Sequence, residues 1–276
     1  MSNQNTHPTP YPEVNTVLNV LLADVQTILG NQFISMYLYG SLADGGFDQD
    51  SDVDFVVVTK EDLPEALFSA LQAMHMRVAK LGSWCATQLE GSYIPLHALQ
   101  HYDPMHALYL HIDRGRDERL HRMQIDDTHL SRAWWGGWVF LCTALREKGI
   151  TLAGPTPATL IGPVTSTELR QATLAILQGW LAPILEQPAQ IKDCGWQSYT
   201  VLTLCRTFYT LEYGVIVSKQ VAARWAQKTL GEPWAALIER SWAGRYNPQA
   251  KASHEDVNGT LDFIRYTLEH SRTLQP

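Results

Sequence analysis

The chain has 276 residues, 45% of them hydrophobic and 18% charged, a balance that excludes a disordered or fibrous protein and leaves room for one large core or two modest ones. Its formal net charge of −7 gives no surplus of Lys and Arg for gripping a phosphate backbone, so nucleic acid is not an expected partner. No run reaches the roughly 18 apolar residues of a membrane helix, the start MSNQNTHPTP lacks the order of a signal peptide, and the four cysteines form no CxxC pair; the expectation is a monomeric cytoplasmic chain with reduced thiols and no membrane partner.

Residues 13–29 place Val14, Leu18, Leu21, Leu22, Val25 and Leu29 at helical spacing, with Gly30 closing the helix. Residues 33–39 are short, apolar and aromatic, and read as a strand entering the turn GSLADGG. A second strand at 53–59 carries Phe55, Val56, Val57 and Val58 in succession, so both its faces should be covered. Residues 63–81 return to helical periodicity, and 85–94 read as a third strand ending before Pro95.

From residue 128 onward strand signals fade. Helices are predicted at 129–148, 166–186, 197–213, 218–230, 232–243 and 254–272. GPTPATLIGP, with three prolines, reads as a non-helical linker. The resulting division is 1–155 for an α/β domain and 156–276 for a helical bundle.

The chemistry-bearing segment is Gly40-Ser41, ten residues, then Asp52-Val53-Asp54, with Glu90 in the next predicted strand. Side chains two apart on a strand share a face, so Asp52 and Asp54 can hold one cation between them. Hard Mg²⁺ takes such oxygen ligands and completes its shell with water and nucleotide phosphates. Gly40 permits close backbone approach to a phosphate, and Ser41 offers a hydroxyl donor. Glu90 is an acid in an apolar strand, where acids are rare unless paired or functional. Beside a metal it can serve as general base, as ligand, or as both.

The segment YGSLADGGFDQDSDVDFVVV resembles the signature of the polymerase-β-like nucleotidyltransferase superfamily, and more narrowly of the bacterial adenylyltransferases that modify streptomycin and spectinomycin. LREKGITLAGP and VLTLCRTFYTLEYGVIVSKQVAARWA resemble that family's interdomain segment and a stretch of its C-terminal domain. The resemblance implies an α+β protein: an N-terminal mixed-sheet catalytic domain, a helical C-terminal bundle, and ATP and acceptor in the cleft between them. By position it makes Asp52 and Asp54 the Mg²⁺ ligands, Ser41 the phosphate contact and Glu90 the base. Arg206 and Lys219 match the family's two cations for the ATP phosphates, and Ser218 reads as a helix N-cap beside the second.

The departure lies in the acceptor pocket. Drug-modifying members carry acids before the VLTL helix, whereas here Asp193 is the one acid and Trp196 takes a position that is acidic in them. Stacking or cation–π contact is then expected for part of the acceptor, which points to a different or less charged one. Transfer of AMP from ATP to a hydroxyl of a small acceptor, such as an aminoglycoside or aminocyclitol, is the leading reading. AMP transfer to a protein hydroxyl, as in toxin–antitoxin pairs, and an inactive nucleotide-binding sensor are the rivals. Trp134, Trp135 and Trp138 read as helix core, and His97, His101, His106 and His111 as surface or loop residues without a zinc spacing.

Overall fold

The computed structural model describes residues 7–48, 50–101, 108–113, 119–124 and 130–273; the side chains of residues 108, 124 and 130–136 lie outside that description. The chain divides into two compact units, Met1–Asp126 with Cys142–Pro163 and Asp127–Leu141 with Val164–Pro276.

In the first unit the elements run α1 (Pro12–Leu29), β1 (Phe33–Leu38), α2 (Gly40–Asp44), β2 (Val53–Thr59), α3 (Glu65–Val78), β3 (Leu89–Pro95), α4 (Leu96–Gln100), β4 (Leu108–Ile112) and β5 (Leu120–Gln124). The chain then continues through α5 (Leu130–Lys148), β6 (Ile150–Ala153) and α6 (Pro157–Leu160). The strands form one sheet in the order β5-β4-β3-β2-β1-β6. β2 and β3 are parallel, joined by the α3 crossover, and every other neighbouring pair is antiparallel.

Alternation sorts these strands into two chemically distinct faces. Met36, Leu38, Val53, Phe55, Val57, Leu89, Tyr93, Leu110, Ile112 and Leu120 share one core with the apolar stripes of α1 and α3. Gly91 belongs to this face because the Phe55 ring lies where its side chain would be: a Cβ at Gly91 would stand 2.5 Å from the Phe55 Cδ1. The opposite face takes the alternate residues, among them Tyr37, Asp54, Val56, Glu90, Ser92 and His111.

The second unit is helical: α7 (Ser166–Ile176), α8 (Cys194–Tyr213), α9 (Lys219–Leu230), α10 (Trp234–Gly244) and α11 (His254–Thr273). A capping box between Thr165 and Glu168 starts α7. Asp193 caps α8 and Gly214, at φ 66°, ends it in the left-handed conformation. Val201, Leu204, Cys205, Phe208, Ala222, Ile238, Phe263 and Ile264 form its core. Buried Gln197 is satisfied there by donating to Ser241 Oγ at 2.9 Å and Thr260 Oγ1 at 3.2 Å.

Several expectations are corrected. GSLADGG is a single helical turn, α2, ended by Gly45 at φ 79°. The third strand begins at Leu89 and runs through Pro95, because Trp84–Thr87 forms a 3₁₀ turn. The predicted helix 166–186 ends regular α-helix at Ile176 and continues as π and 3₁₀ turns to Leu185. GPTPATLIGP is not wholly non-helical, since Pro157 sits in the first turn of α6, where a missing N–H costs nothing.

Strands β4 and β5 carry too few β-branched residues to announce themselves, and β6 is only four residues long. β6 nevertheless pairs with β1 directly after α5, which returns the chain to the sheet. His111 is accordingly a strand residue, half-buried in β4, and not a loop residue. Trp138 is half-buried in α5, while the side chains of Trp134 and Trp135, and His106, lie outside the described residues. Among the described residues no helix is long and apolar enough to cross a membrane.

Candidate active site

The parallel β2–β3 ladder assembles the site's acids. Its register sets Asp54 directly beside Glu90, on the face opposite the α1 and α3 core. Asp52 lies one residue before β2, where the Val53 N–H already bonds the Gln88 carbonyl at 2.8 Å, so the strand pattern starts at the second carboxylate's neighbour. All three side chains are half-buried. β1 completes the row: the Tyr39 N–H donates to the Asp54 carbonyl at 3.2 Å, which puts Tyr39 next to Asp54 one step past the end of β1.

Tyr39 reports on the convergence. Its hydroxyl is held well above the ordinary tyrosine range, first by burial and then by the negative charges of Asp54, Glu90 and Asp52, with Tyr109 adding to them. Three carboxylates that act on one hydroxyl form a single electrostatic locus. Sequence reasoning passed over Tyr39, although its position immediately before Gly40-Ser41 and at the end of an apolar strand was a usable signal.

Gly40 and Ser41 border the same acids. Gly40 has φ +65°, and a Cβ there would stand 2.1 Å from Asp54 Oδ2, so only glycine leaves the carboxylate its place. The Ser41 Oγ is buried and, among the described residues, has no hydrogen-bond partner, an exception among buried hydroxyls that a ligand oxygen would resolve.

These features fit a magnesium–nucleotide pair. Mg²⁺ is usually held by one or two carboxylates together with substrate phosphates and water, and Asp52 and Asp54, with Glu90 alongside, offer oxygen ligands of that kind. Among the described residues no group of three or more His, Cys, Asp or Glu side chains stands close enough to hold a metal without such help.

The other predicted residues belong to the second unit. Tyr199 and Arg206, seven residues apart, share one side of α8. Lys219, the first residue of α9, holds its Nζ 5.2 Å from the centre of the Tyr199 ring. Ser218 caps α9 by accepting from the Val221 N–H at 3.3 Å, as its position before Lys219 suggested. Asp193 Oδ1 accepts from the Trp196 N–H at 2.9 Å, so this acid has a structural task as well as any role toward a ligand. Trp196 is 42% exposed and Tyr199 47%. Trp180 and Trp196 both meet Tyr199 edge-on, with centroids at 5.5 and 6.2 Å.

Comparison with known proteins gives these residues a family. A nucleotidyltransferase domain model matches residues 20–112, and the model of the aminoglycoside adenylyltransferase C-terminal domain matches residues 159–270. Spectinomycin 9-adenylyltransferase of Campylobacter jejuni is 24% identical over 93% of this chain and 95% of its own length. The aminoglycoside (3'') (9) adenylyltransferase of Escherichia coli is 27% identical over 92% of this chain and 94% of its own. The fold matches the crystal structure of spectinomycin adenyltransferase AAD(9) from Enterococcus faecialis with ATP and spectinomycin, with a TM-score of 0.67 at 17% identity over 92% of this chain and 98% of that one. The chain is thus a nucleotidyltransferase that joins a nucleotidyltransferase domain to a C-terminal domain of the aminoglycoside adenylyltransferase type.

Proposed function

We propose that this enzyme transfers AMP from ATP to a hydroxyl of an aminoglycoside or aminocyclitol, spectinomycin being the first candidate, in a magnesium-dependent reaction that releases pyrophosphate. The observation that carries the reading is the β2–β3 register, which sets Asp54 beside Glu90, with Gly40 packed against the Asp54 carboxylate.

In this reading Asp52 and Asp54 would hold Mg²⁺, with Glu90 alongside as base and further ligand, and the ion would supply positive charge opposite the nucleotide's phosphates. Gly40 admits the phosphate chain against the backbone, and the Ser41 hydroxyl donates to one of its oxygens. Glu90 takes the proton of the acceptor hydroxyl as its oxygen bonds to the α-phosphorus and the bond from that phosphorus to the bridging oxygen of pyrophosphate breaks. Arg206 and Lys219 supply positive charge for the phosphates, Arg206 as a planar fork of donors and Lys219 as a compact ammonium. Trp196, with Asp193 beside it, contributes a stacking surface to the acceptor instead of a second acid.

The test is to incubate the protein with ATP, Mg²⁺ and a panel of spectinomycin, streptomycin and related drugs, following pyrophosphate and the mass of the drug. A drug heavier by one AMP, formed in step with pyrophosphate and abolished by chelation, is expected. Glu90→Gln should cut the rate about 10²- to 10⁴-fold, the range of general-base contributions. An inert panel defeats the acceptor assignment; turnover that survives chelation defeats the metal.

A further inference from the structure

We infer that Asp48 is a positioning residue for the metal site: its side chain locks the loop that delivers Asp52, and so sets how tightly Mg²⁺ is held with the nucleotide. The inference rests on the reading of Asp52 as a Mg²⁺ ligand.

The two aspartates are held in different ways. Asp54 lies within β2, where the ladder to β3 fixes its backbone. Asp52 stands before the strand, at the end of a loop that starts behind Gly45 and Gly46, residues with the least intrinsic stiffness. A ligand on such a loop loses conformational entropy when it closes on a cation, unless the fold has ordered it beforehand.

Hydrogen bonds and packing order this loop step by step. At its start the Gly46 N–H donates to the Ser41 carbonyl at 3.0 Å. Phe47 then packs against the core beneath α1, its ring centre 4.8 Å from that of Tyr11. Asp48 follows and closes a reciprocal clamp on Ser51: its N–H donates to Ser51 Oγ at 2.9 Å, and that hydroxyl donates to Asp48 Oδ1 at 2.9 Å. Oδ1 also accepts from the Asp50 N–H at 3.1 Å, and the Asp48 carbonyl accepts from the Ser51 N–H at 3.0 Å. Ser51 is buried by the result. Beyond Asp52, the Val53 N–H bonds the Gln88 carbonyl. Asp52 is therefore pinned through both neighbours, and the Asp48 side chain makes one of the two pins.

The role of Asp48 is geometric. Both side-chain contacts fall on a single oxygen, Oδ1, and both come from uncharged donors, which an amide oxygen in the same place would also satisfy. Turns closed by a short side chain onto the following backbone suit Asp and Asn alike. A role through charge would work differently, drawing the cation whatever the shape of the loop. Asp48→Asn keeps the oxygen and drops the charge, whereas Asp48→Glu keeps the charge and moves the oxygens out by one methylene. The pair separates position from charge.

The experiment is calorimetric titration of a non-hydrolysable ATP analogue into the full chain, in Mg²⁺ and again in EDTA, with the thermal midpoint recorded without ligand. Loss of a group that orients a metal ligand typically weakens metal binding about 10- to 100-fold. Asp48→Ala and Asp48→Glu should each weaken the Mg²⁺-supported affinity by about that factor, with affinity in EDTA unchanged, and Asp48→Asn should retain most of it. In initial rates the first two should need more Mg²⁺ for half-maximal pyrophosphate release, while kcat at saturating Mg²⁺ stays near normal. The Asn–Glu comparison decides the matter even if Asp48→Ala fails to fold. Asp48→Asn losing affinity while Asp48→Glu keeps it would assign the effect to charge and overturn the inference. So would unchanged affinity in all three variants, or a loss that is equal in EDTA and follows the thermal midpoint. Wild-type protein that binds the analogue equally with and without Mg²⁺ removes the parent reading of Asp52 and this inference with it, an outcome distinct from metal-supported binding that survives Asp48→Glu.

Discussion

The two faces of the sheet in the first unit are made from the same strands and do opposite things. On one, Phe55 and Tyr93 are closed in by α1 and α3, and even His75 is neutralised: burial drives its pKa down to about 3. On the other, one residue along each strand, Asp54, Glu90, His111 and Asp113 keep partial access to solvent. A period of two lets a single strand such as VDFVVVT anchor a core and present a ligand set at once. The second face is also closed over at Tyr37 and Val56 and opens only toward the acids, so perturbing the acids and perturbing the α1–α3 core should affect different observables.

The largest separation is expected from Asp52→Asn combined with Asp54→Asn. Removing one preorganised electrostatic group from an active site typically costs 10²- to 10³-fold, and the pair should cost more than about 10³-fold in pyrophosphate release. The thermal midpoint should hold or rise, since like charges beside Glu90 are relieved. Activity and metal-supported ATP affinity unaffected by both substitutions would remove the proposed chemistry altogether.

Phe55→Ala probes the opposite face of the same strand. Its ring is fully buried against Gly91, His75 and Tyr93, and truncating such a phenylalanine costs about 3–5 kcal/mol. Urea unfolding should show that loss, while the surviving folded fraction at low temperature keeps a near-normal KM for ATP. A variant that stays stable but loses nucleotide affinity would mean that the two faces are not separable.

His75 makes the apolar face sensitive to acid. Its folded pKa lies below the unfolded value of about 6.5, so the unfolded chain binds the extra proton. The neutral ring's contribution is complete above pH 6.5 and is lost as the pH falls toward about 3, at up to about 1.4 kcal/mol per pH unit. His75→Gln cannot take up that proton, so its urea midpoint should fall less than that of the parent between pH 6.5 and 4.5. Identical slopes would show that other groups govern the acid limb.

What the sequence disclosed follows the same division. β2 was legible to the residue because Phe55–Val58 is β-branched and aromatic, whereas of the two acids read as sharing that strand only Asp54 lies on it, Asp52 standing one residue before its start. The Asp54–Glu90 pairing was not legible, since a parallel register depends on where the α3 crossover lands. His111 was misplaced for a related reason: LYLHI has one β-branched residue, so β4 looked like loop, and the Ser92–His111 contact is visible only across strands. α2 was misread because Gly-Ser and Gly-Gly, the turn signals flanking it, also end helices. In the second unit Ser218 before Lys219 announced a cap correctly, while Asp193, taken only for a ligand-binding acid, also caps α8.

The smallest effects should sharpen the comparison most, because they come from deleting a single oxygen on each face. Tyr93 OH lies 2.8 Å from His75 Nε2, and the other ring nitrogen, Nδ1, is buried without a partner among the described residues. Tyr93→Phe therefore leaves the imidazole with neither nitrogen bonded inside the protein, at a cost of about 1–2 kcal/mol in stability. Turnover per folded molecule should not change. Tyr39 lies across the sheet among Asp54, Glu90 and Asp52, and Tyr39→Phe removes a hydroxyl that those carboxylates already crowd. Stability should shift by no more than about 0.5 kcal/mol, while pyrophosphate release falls about 2- to 10-fold, the worth of one ordinary hydrogen bond at the reacting groups. Measured together by urea unfolding and initial rates, the two variants should fall on different axes. If both fell on the same axis, the division of labour between the faces would be wrong even with every acidic role intact.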